Sequence, residues 1–508
     1  MSRVEKIAKN YSGEVLNQGM TALCSFIGRT VFIRMLGTEY LGISGLYTNV
    51  HSILSLTDLG IGSSIVFSLY KPLRDKNEGK IYALMNLYKK VYRIIGCCVA
   101  FLGCLLMPLL PRLMNGGTEL VNIYVVYLIY LTQSVASYLF LAYHMSIIQA
   151  DQKSYILSII NSVNSIITTI VQIVVLILTR NYILYLLVAL ATNILKNVVI
   201  GIVSWKMYPY LRKKLPDKLS DQEVGTIFKN RGALMIYRVN STVMNACDNL
   251  VLSSFLGLNI VGLYSNYLIF SKNFTNFINN IFSSMKASVG DLHAEGNSER
   301  EYQIFLSCNF MGAVIYGIAA VGLAVIANDV ITVWIGSQYI ISDVLPVLLA
   351  ISMYLAGIQH INSIFRDAAG LFQQAKYRPL FATIINVSLS IFLVKDYGIH
   401  GVVAATVISQ MATYLWFDPI ILCKYAFEIS SAKYFKRNAA YAAVLIFAGI
   451  LTYMVKIMLN IPILIRIGVE ILVCVGSILA MFFGIWGRTE EANYLKCTVM
   501  KRIMRTKR

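Results

Sequence analysis

Charge is scarce in this chain. Asp, Glu, Lys and Arg make up 14% of its 508 residues, against 57% hydrophobic, where a soluble domain carries roughly 25% charged residues. That excludes the ordinary soluble classes. Histidine is scarcer still: His51, His144, His293, His360 and His400 show no pair at ligand spacing, so neither a metal site nor a cofactor is expected. No Gly-rich phosphate loop of the Walker type is present, which excludes nucleotide hydrolysis by that route. Cys24, Cys97, Cys98, Cys104, Cys247, Cys308, Cys423 and Cys474 lie in or beside apolar stretches, where a thiol behaves as a small hydrophobe; disulfides are not expected. A signal peptide is not expected either, because Arg3, Lys6, Lys9, Glu14, Asn17 and Gln18 interrupt any apolar core and no small-residue cleavage site follows. Long hydrophilic loops are absent, the longest connection being the basic amphipathic stretch 206–231 with Arg212, Lys213, Lys214 and Lys218.

What the chain has is apolar length. A window of about 19 residues finds about fourteen spans, each near the twenty residues that a bilayer core demands. They lie near 11–35, 41–70, 84–110, 120–146, 154–179, 182–205, 232–256, 259–286, 302–327, 343–371, 377–395, 399–422, 438–458 and 463–486. With both termini in the cytoplasm, most of the 44 Lys and Arg fall on the cytoplasmic side, as the positive-inside rule requires. The net charge of +19 is therefore mainly a topology signal, and the tail Lys501, Arg502, Arg505, Lys507 and Arg508 suits anionic headgroups. Nucleic acid is not an expected partner; membrane lipid is.

The chain also repeats itself. A shift of 220 residues (31 to 251) pairs Val31, Leu36, Gly37, Gly42, Tyr47, Ile61, Ser63 and Ser64 with Val251, Leu256, Gly257, Gly262, Tyr267, Ile281, Ser283 and Ser284. A shift of 225 (149 to 374) pairs Gln149, Ala150, Ile159, Ile160, Asn161, Ser165 and Ile166 with Gln374, Ala375, Ile384, Ile385, Asn386, Ser390 and Ile391. Both patches fall on corresponding spans of two six-helix halves, and a shift of six spans preserves orientation. The expectation is an all-α integral membrane protein of two parallel six-helix lobes plus two extra C-terminal helices. Its divisions are an N-lobe 1–205, a basic cytoplasmic linker 206–231, a C-lobe 232–422, and 423–508 holding the last two spans and the tail.

Ionisable groups deep in such spans cost several kcal/mol unless they face protein or water, so they mark function. Arg29, Asp58, Arg238, Asp248 and Lys272 are of this kind. Each belongs to a polar row at helical spacing: Glu14, Gln18, Thr21, Ser25 and Arg29 on span 1; Thr48, Ser52, Ser55 and Asp58 on span 2; Arg238, Thr242, Asn245 and Asp248 or Asn249 on span 7; Lys272, Asn276, Asn279 or Asn280, and Ser283 on span 8. Span 5 adds Ser158, Ser162, Ser165, Thr169 and Gln172. Spans 1, 2, 7 and 8 correspond between the halves, which is what a shared cavity would produce. The competing reading is interhelical hydrogen bonding. Arg29, Arg238 and Lys272, with Asn245 and Asn276, are the substrate-binding candidates; Asp58 and Asp248 are salt-bridge partners or ion-coupling groups; Lys196, Arg366 and Asp367 stand second. Asp418, Lys395 and Lys456 are expected to snorkel to an interface. Fixed cations in low dielectric favour an anionic head, phosphate or pyrophosphate, on something apolar.

The run Asn17, Arg29, Arg34, Leu36, Gly37, Tyr40, Gly42, Leu46, Tyr47, Asp58, Gly60 and Gly62, with Arg366, Ala369, Gly370, Leu371, Gln374, Ala375, Lys376, Arg378 and Pro379, resembles the polysaccharide-transporter branch of the multidrug/oligosaccharidyl-lipid/polysaccharide exporter superfamily. The resemblance covers essentially the whole chain. It implies a MATE-like flippase, not an enzyme, that moves undecaprenyl-pyrophosphate-linked oligosaccharide repeat units across a bacterial cytoplasmic membrane by alternating access. The product would be capsule, exopolysaccharide or O-antigen. It implies glycosyltransferases and a polymerase of the same pathway as partners, and cavity cations at the pyrophosphate and sugars, for which Arg29, Arg238 and Lys272 are the matching positions. A peptidoglycan lipid-precursor flippase, a multidrug antiporter of the same superfamily and a membrane glycosyltransferase or polymerase are the alternatives. The antiporter would rely on acidic cavity residues, and the enzyme would need a large outer loop.

Overall fold

The computed structural model describes residues 3–54, 61–113, 121–213, 219, 225, 243 and 246–489. Every regular element among them is helical, as a backbone in lipid requires when it cannot close a barrel. In chain order these are α1 (Arg3–Leu36), α2 (Thr38–Leu54), α3 (Ile61–Arg74), α4 (Glu78–Leu106), α5 (Ile123–Leu139), α6 (Met145–Ala150), α7 (Ser154–Thr179) and α8 (Tyr182–Met207). After the next short segment, α9 (Ala246–Leu256), come α10 (Leu258–Ser283), α11 (Lys286–Ala294), α12 (Ser298–Trp334), α13 (Val344–Ala368), α14 (Arg378–Thr413), α15 (Phe417–Tyr425), α16 (Ala432–Met458) and α17 (Ile463–Trp486). Short single turns occupy some of the connections.

Eight of the described helices are long and apolar enough to cross a membrane, or nine with the bent pair Ile123–Leu139 and Ala142–Ala150. The other expected spans carry more polar residues, as α10 does with Lys272 and its asparagines, or run through residues outside the described set, as spans 2 and 7 do. Surface composition agrees with a lipid setting: Phe67, Leu178, Leu472 and Met458 are among the large apolar side chains that face outward. The break expected between 395 and 399 falls at Gly398, whose φ of 57° and ψ of −135° turn the chain sharply within α14.

The chain forms two compact units, Met1–Gly262 and Leu263–Arg508. In the first, α1 lies along α7, and α7 against α8. Hydrogen bonds set that register: Asn10 Nδ2 donates to Gln152 O at 2.9 Å, Tyr155 N to Asn10 Oδ1 at 2.9 Å, Ser158 Oγ to Glu14 at 3.1 Å and Ser162 Oγ to Asn17 Oδ1 at 3.1 Å. Gly13 permits the approach, since a Cβ there would sit 3.3 Å from Tyr155. Part of the span 1 polar row is thus interhelical contact, as the competing reading holds.

In the second unit the 37-residue α12 is the spine, packed by α13, α16 and α17. Phe282, Phe305, Tyr316, Phe365 and Tyr434 fill one end of its core, and Phe310, Tyr441, Ile478 and Phe482 fill the other.

The repeat is visible in backbone geometry. Gly37 ends α1 at φ +89° and its counterpart Gly257 ends α9 at φ +86°, the left-handed C′ position that glycine adopts without strain. Tyr47 and its counterpart Tyr267 are both fully buried. Tyr47 donates to Ile123 O at 2.8 Å, and Tyr267 to Asn328 Oδ1 at 2.8 Å.

Candidate functional site

The first unit contains an open polar cleft of about 390 Å³ in which Asn17 and Thr21 of α1 face α7 and Lys196 of α8. The α7 wall is a stripe at helical spacing, Asn161, Asn164 or Ser165, and Thr168 or Thr169, because residues three and four apart share a helix face. Asn17 Oδ1 accepts a hydrogen bond from Ser162 Oγ. The side chains of Asn161, Asn164, Ser165, Thr168 and Lys196 make no hydrogen bond or ion pair with another described residue. Thr168 Oγ1 is buried without a partner. Polar groups left so inside a span carry a cost that a polar ligand or water removes. The wall contains carboxamides, hydroxyls and one ammonium, with no carboxylate and no aromatic ring.

The second unit uses the same positions differently. Asn386 and Ser390, the counterparts of Asn161 and Ser165, are completely buried, and Asn386 Nδ2 donates to Thr406 Oγ1 at 2.8 Å. One copy of the repeat motif therefore opens as a cleft and the other is packed shut.

Lys196 is a wall residue of the cleft. Arg29 is half-buried on α1, beside Tyr185 of α8 and about 12 Å along the helix from Thr21 at 1.5 Å per residue. Lys272 and Asn276 lie one turn apart on the exposed side of α10, and Asp248 is half-buried on α9. Asp58, Arg238 and Asn245 lie outside the described residues.

Arg366 and Asp367 belong to a buried ion network at the end of α13. Arg366 Nη1 reaches Asp418 Oδ2 at 2.7 Å and Nη2 reaches Asp367 at 2.8 Å. Arg378 Nη1 adds a contact of 3.2 Å to Asp418, stacked over Tyr414 at 5.0 Å, and Lys286 of α11 holds Asp367 at 3.0 Å. Gln359 donates to Asp418 as well.

Two expectations are overturned. Asp418 does not snorkel; it has no exposed surface, because two guanidinium groups and an amide compensate it inside the unit. Lys456 does not reach an interface either, since it pairs with Asp329 at 3.1 Å and donates to Val325 O at 2.8 Å. Glu470, buried in α17 next to Arg466, was missed. Its signal, one acid inside an apolar run, is the one that singled out Asp58.

A family model described as "Polysaccharide biosynthesis protein" matches residues 7–285. No curated protein sequence matches the chain. Among solved structures it is similar to "Lipid II flippase MurJ, inward closed conformation", with a TM-score of 0.67 at 15% identity over 94% of this chain and 99% of that one. It is similar also to an inward-facing "multidrug resistance MATE family transporter of the MOP superfamily", TM-score 0.62 at 15% identity over 78% and 92%. A MOP superfamily transporter from Pyrococcus furiosus, described by the reverse polarity of its binding pocket, aligns at 0.55 with 13% identity over 82% and 96%.

Proposed function

Because the chain belongs to the polysaccharide biosynthesis protein family and has the fold of the MOP-superfamily transporters, we propose that it is a flippase for lipid-linked oligosaccharide. It carries undecaprenyl-pyrophosphate-linked repeat units across the bacterial cytoplasmic membrane, by alternating access, for capsule, exopolysaccharide or O-antigen assembly. Glycosyltransferases supply the cargo and a polymerase consumes it.

The observation that carries this reading is the cleft of the first unit: carboxamides and hydroxyls, all but Asn17 without a side-chain partner among the described residues, with a single ammonium, set within membrane-spanning helices. Carboxamides and hydroxyls both donate and accept, which suits sugar hydroxyls. An ammonium suits the anionic end of such a cargo. A multidrug cation would call for carboxylates, and the cleft wall has none. Arg29, Lys272, Arg238, Asn245 and Asn276 are proposed as further contacts along the path, with Arg29 and its neighbour Tyr185 next to the cleft along α1.

The test is genetic complementation. In a strain lacking the gene, the wild-type chain restores surface polysaccharide, whereas Lys196→Gln and Asn161→Ala, at equal membrane levels, leave lipid-linked repeat units accumulated on the cytoplasmic side. Full restoration by both variants would remove the cleft from the account.

A further inference from the structure

The second unit holds a charge cluster that cargo binding does not use. Asp329, near the end of α12, forms ion pairs with Lys456 of α16, 3.1 Å from its Oδ2, and with Arg466 of α17, 3.1 Å from its Oδ1. Arg466 Nε then stands 3.6 Å from Glu470 Oε1, one turn further along α17. Those four are the charged groups that α12, α16 and α17 bring to the cluster among the described residues. Glu470 is fully buried, and neither of its oxygens has a hydrogen-bond donor. Its carboxyl faces that of Asp329. Below them the three helices are joined by apolar packing of Val325, Leu445, Cys474 and Ile478.

Asp329 pairs with both cations, whereas Glu470 has only the longer approach of Arg466. An ionised carboxylate is acceptor-only, so two ionised carboxylates face to face repel, whereas one protonated carboxyl donates to the other. The site is also reachable: the Lys456 and Arg466 side chains keep 18% and 25% of their surface exposed. The last turns of α12 and α16 and the first turns of α17 meet at one end of the bundle, the end that the positive-inside reading puts on the external side.

We propose that Glu470 and Asp329 form a proton-binding site, loaded from the external end, whose occupancy sets how α16 and α17 seat on α12. A proton from external water adds to a Glu470 carboxylate oxygen, which then donates to Asp329. The four-residue cluster passes from net neutral to one positive charge, and the two cations lose half of their compensation. Deprotonation restores the neutral, tighter arrangement. The ion-coupling role expected for Asp58 or Asp248 then lies here, on the two helices outside the repeat.

Two measurements on the purified full-length chain test this without any cargo. In infrared difference spectra between alkaline and acidic buffer, the wild type gives a carboxylic-acid C=O band that is absent from Glu470→Gln and retained in Asp248→Asn. Spin labels at Val333→Cys and Leu464→Cys, in a background with the native cysteines replaced, give a separation that changes with pH in the wild type and is fixed in Glu470→Gln. If that variant fails to fold, Glu470→Asp must keep the band with its midpoint moved. A wild type without a band, a band that survives Glu470→Gln, an unmoved midpoint in Glu470→Asp, or a label separation indifferent to pH in the wild type would each overturn the proposal.

Discussion

Gly42 and Gly262 are equivalent positions 220 residues apart, and each lets bare backbone meet the other's repeat. A Cβ on Gly42 would stand 1.9 Å from Leu258 O, and one on Gly262 would stand 2.1 Å from Thr38 O. Thr38 and Leu258 are themselves separated by 220 residues, so the contact is reciprocal. Thr38 Oγ1 adds a hydrogen bond of 2.8 Å to Asn259 Oδ1. Neither carbonyl is the end of a flexible side chain, so the backbone itself must move to admit a methyl group. Gly42→Ala and Gly262→Ala should each cost about 2–3 kcal/mol, read as a lowered midpoint of thermal unfolding in detergent. The double variant should be less than additive, because the two share one contact. Alanine at Gly19, where nothing lies within 4 Å, should leave the midpoint unchanged or slightly raised.

The unequal use of the second repeat patch gives a paired prediction. Asn386→Ala removes a buried partner of Thr406 and should lower stability by about 1–3 kcal/mol. Asn161→Ala, at the matching position of the cleft, should leave the unfolding midpoint alone and reduce transport. Lys196→Gln should weaken cargo binding about ten- to hundredfold, the worth of one charge-assisted contact. Thermal unfolding and cargo binding measured on the same three preparations check all of this. Equal effects of Asn161→Ala and Asn386→Ala on both readouts would contradict it.

Asp418 compensates Arg366 and Arg378 with no surface of its own. Asp418→Ala therefore leaves two buried guanidinium groups against Asp367 alone and should cost about 3–5 kcal/mol. Lys286→Ala, which breaks the half-exposed pair with Asp367, should cost under about 1 kcal/mol. Membrane yield and the unfolding midpoint of the two variants measure the contrast.

At the end of α8 the phenol of Tyr208 donates to Asp151 Oδ2 at 2.7 Å. Burial and that carboxylate raise its pKa above the ordinary phenol value. Neighbouring Tyr210 is pushed up to about 12, mainly by burial and then by Glu78 and Asp151. A pKa higher in the folded state means that the folded protein binds more protons above the unfolded value of 10. This stabilisation is complete below pH 10 and is lost as pH rises from 10 through about 12. Alkaline unfolding should set in over that window, and Tyr208→Phe, which also loses about 1 kcal/mol of hydrogen bonding, should flatten it. An unfolding midpoint with the same alkaline slope in wild type and variant would count against the assignment.

Much of this molecule is legible in its sequence, and the reason is the solvent. A bilayer forces helices and apolar length, so composition alone gives the class, and the paired glycines at 37 and 257, 42 and 262 give the repeat. Lys196 is visible as a cation deep in a span. What periodicity cannot show is which copy of a polar row is open: Asn161 and Asn386 look alike in sequence, and only packing makes one a cleft wall and the other a core residue. Partners distant in sequence are equally hidden. Asp418 and Lys456 read as interfacial because Arg366, Arg378 and Asp329, which hold them inside, lie 40 to 127 residues away. Ser158 and Ser162 show the converse, their hydroxyls being engaged by α1.

The central claim is translocation of a lipid-linked oligosaccharide, and reconstitution tests it most directly. Purified wild-type chain is placed in liposomes with a fluorescent undecaprenyl-pyrophosphate-linked oligosaccharide, and its appearance in the opposite leaflet is read by a membrane-impermeant quencher. The account predicts protein-dependent flipping by the wild type, loss of flipping in Lys196→Gln, and no efflux of a cationic dye from the same liposomes. Dye efflux without oligosaccharide flipping would contradict it.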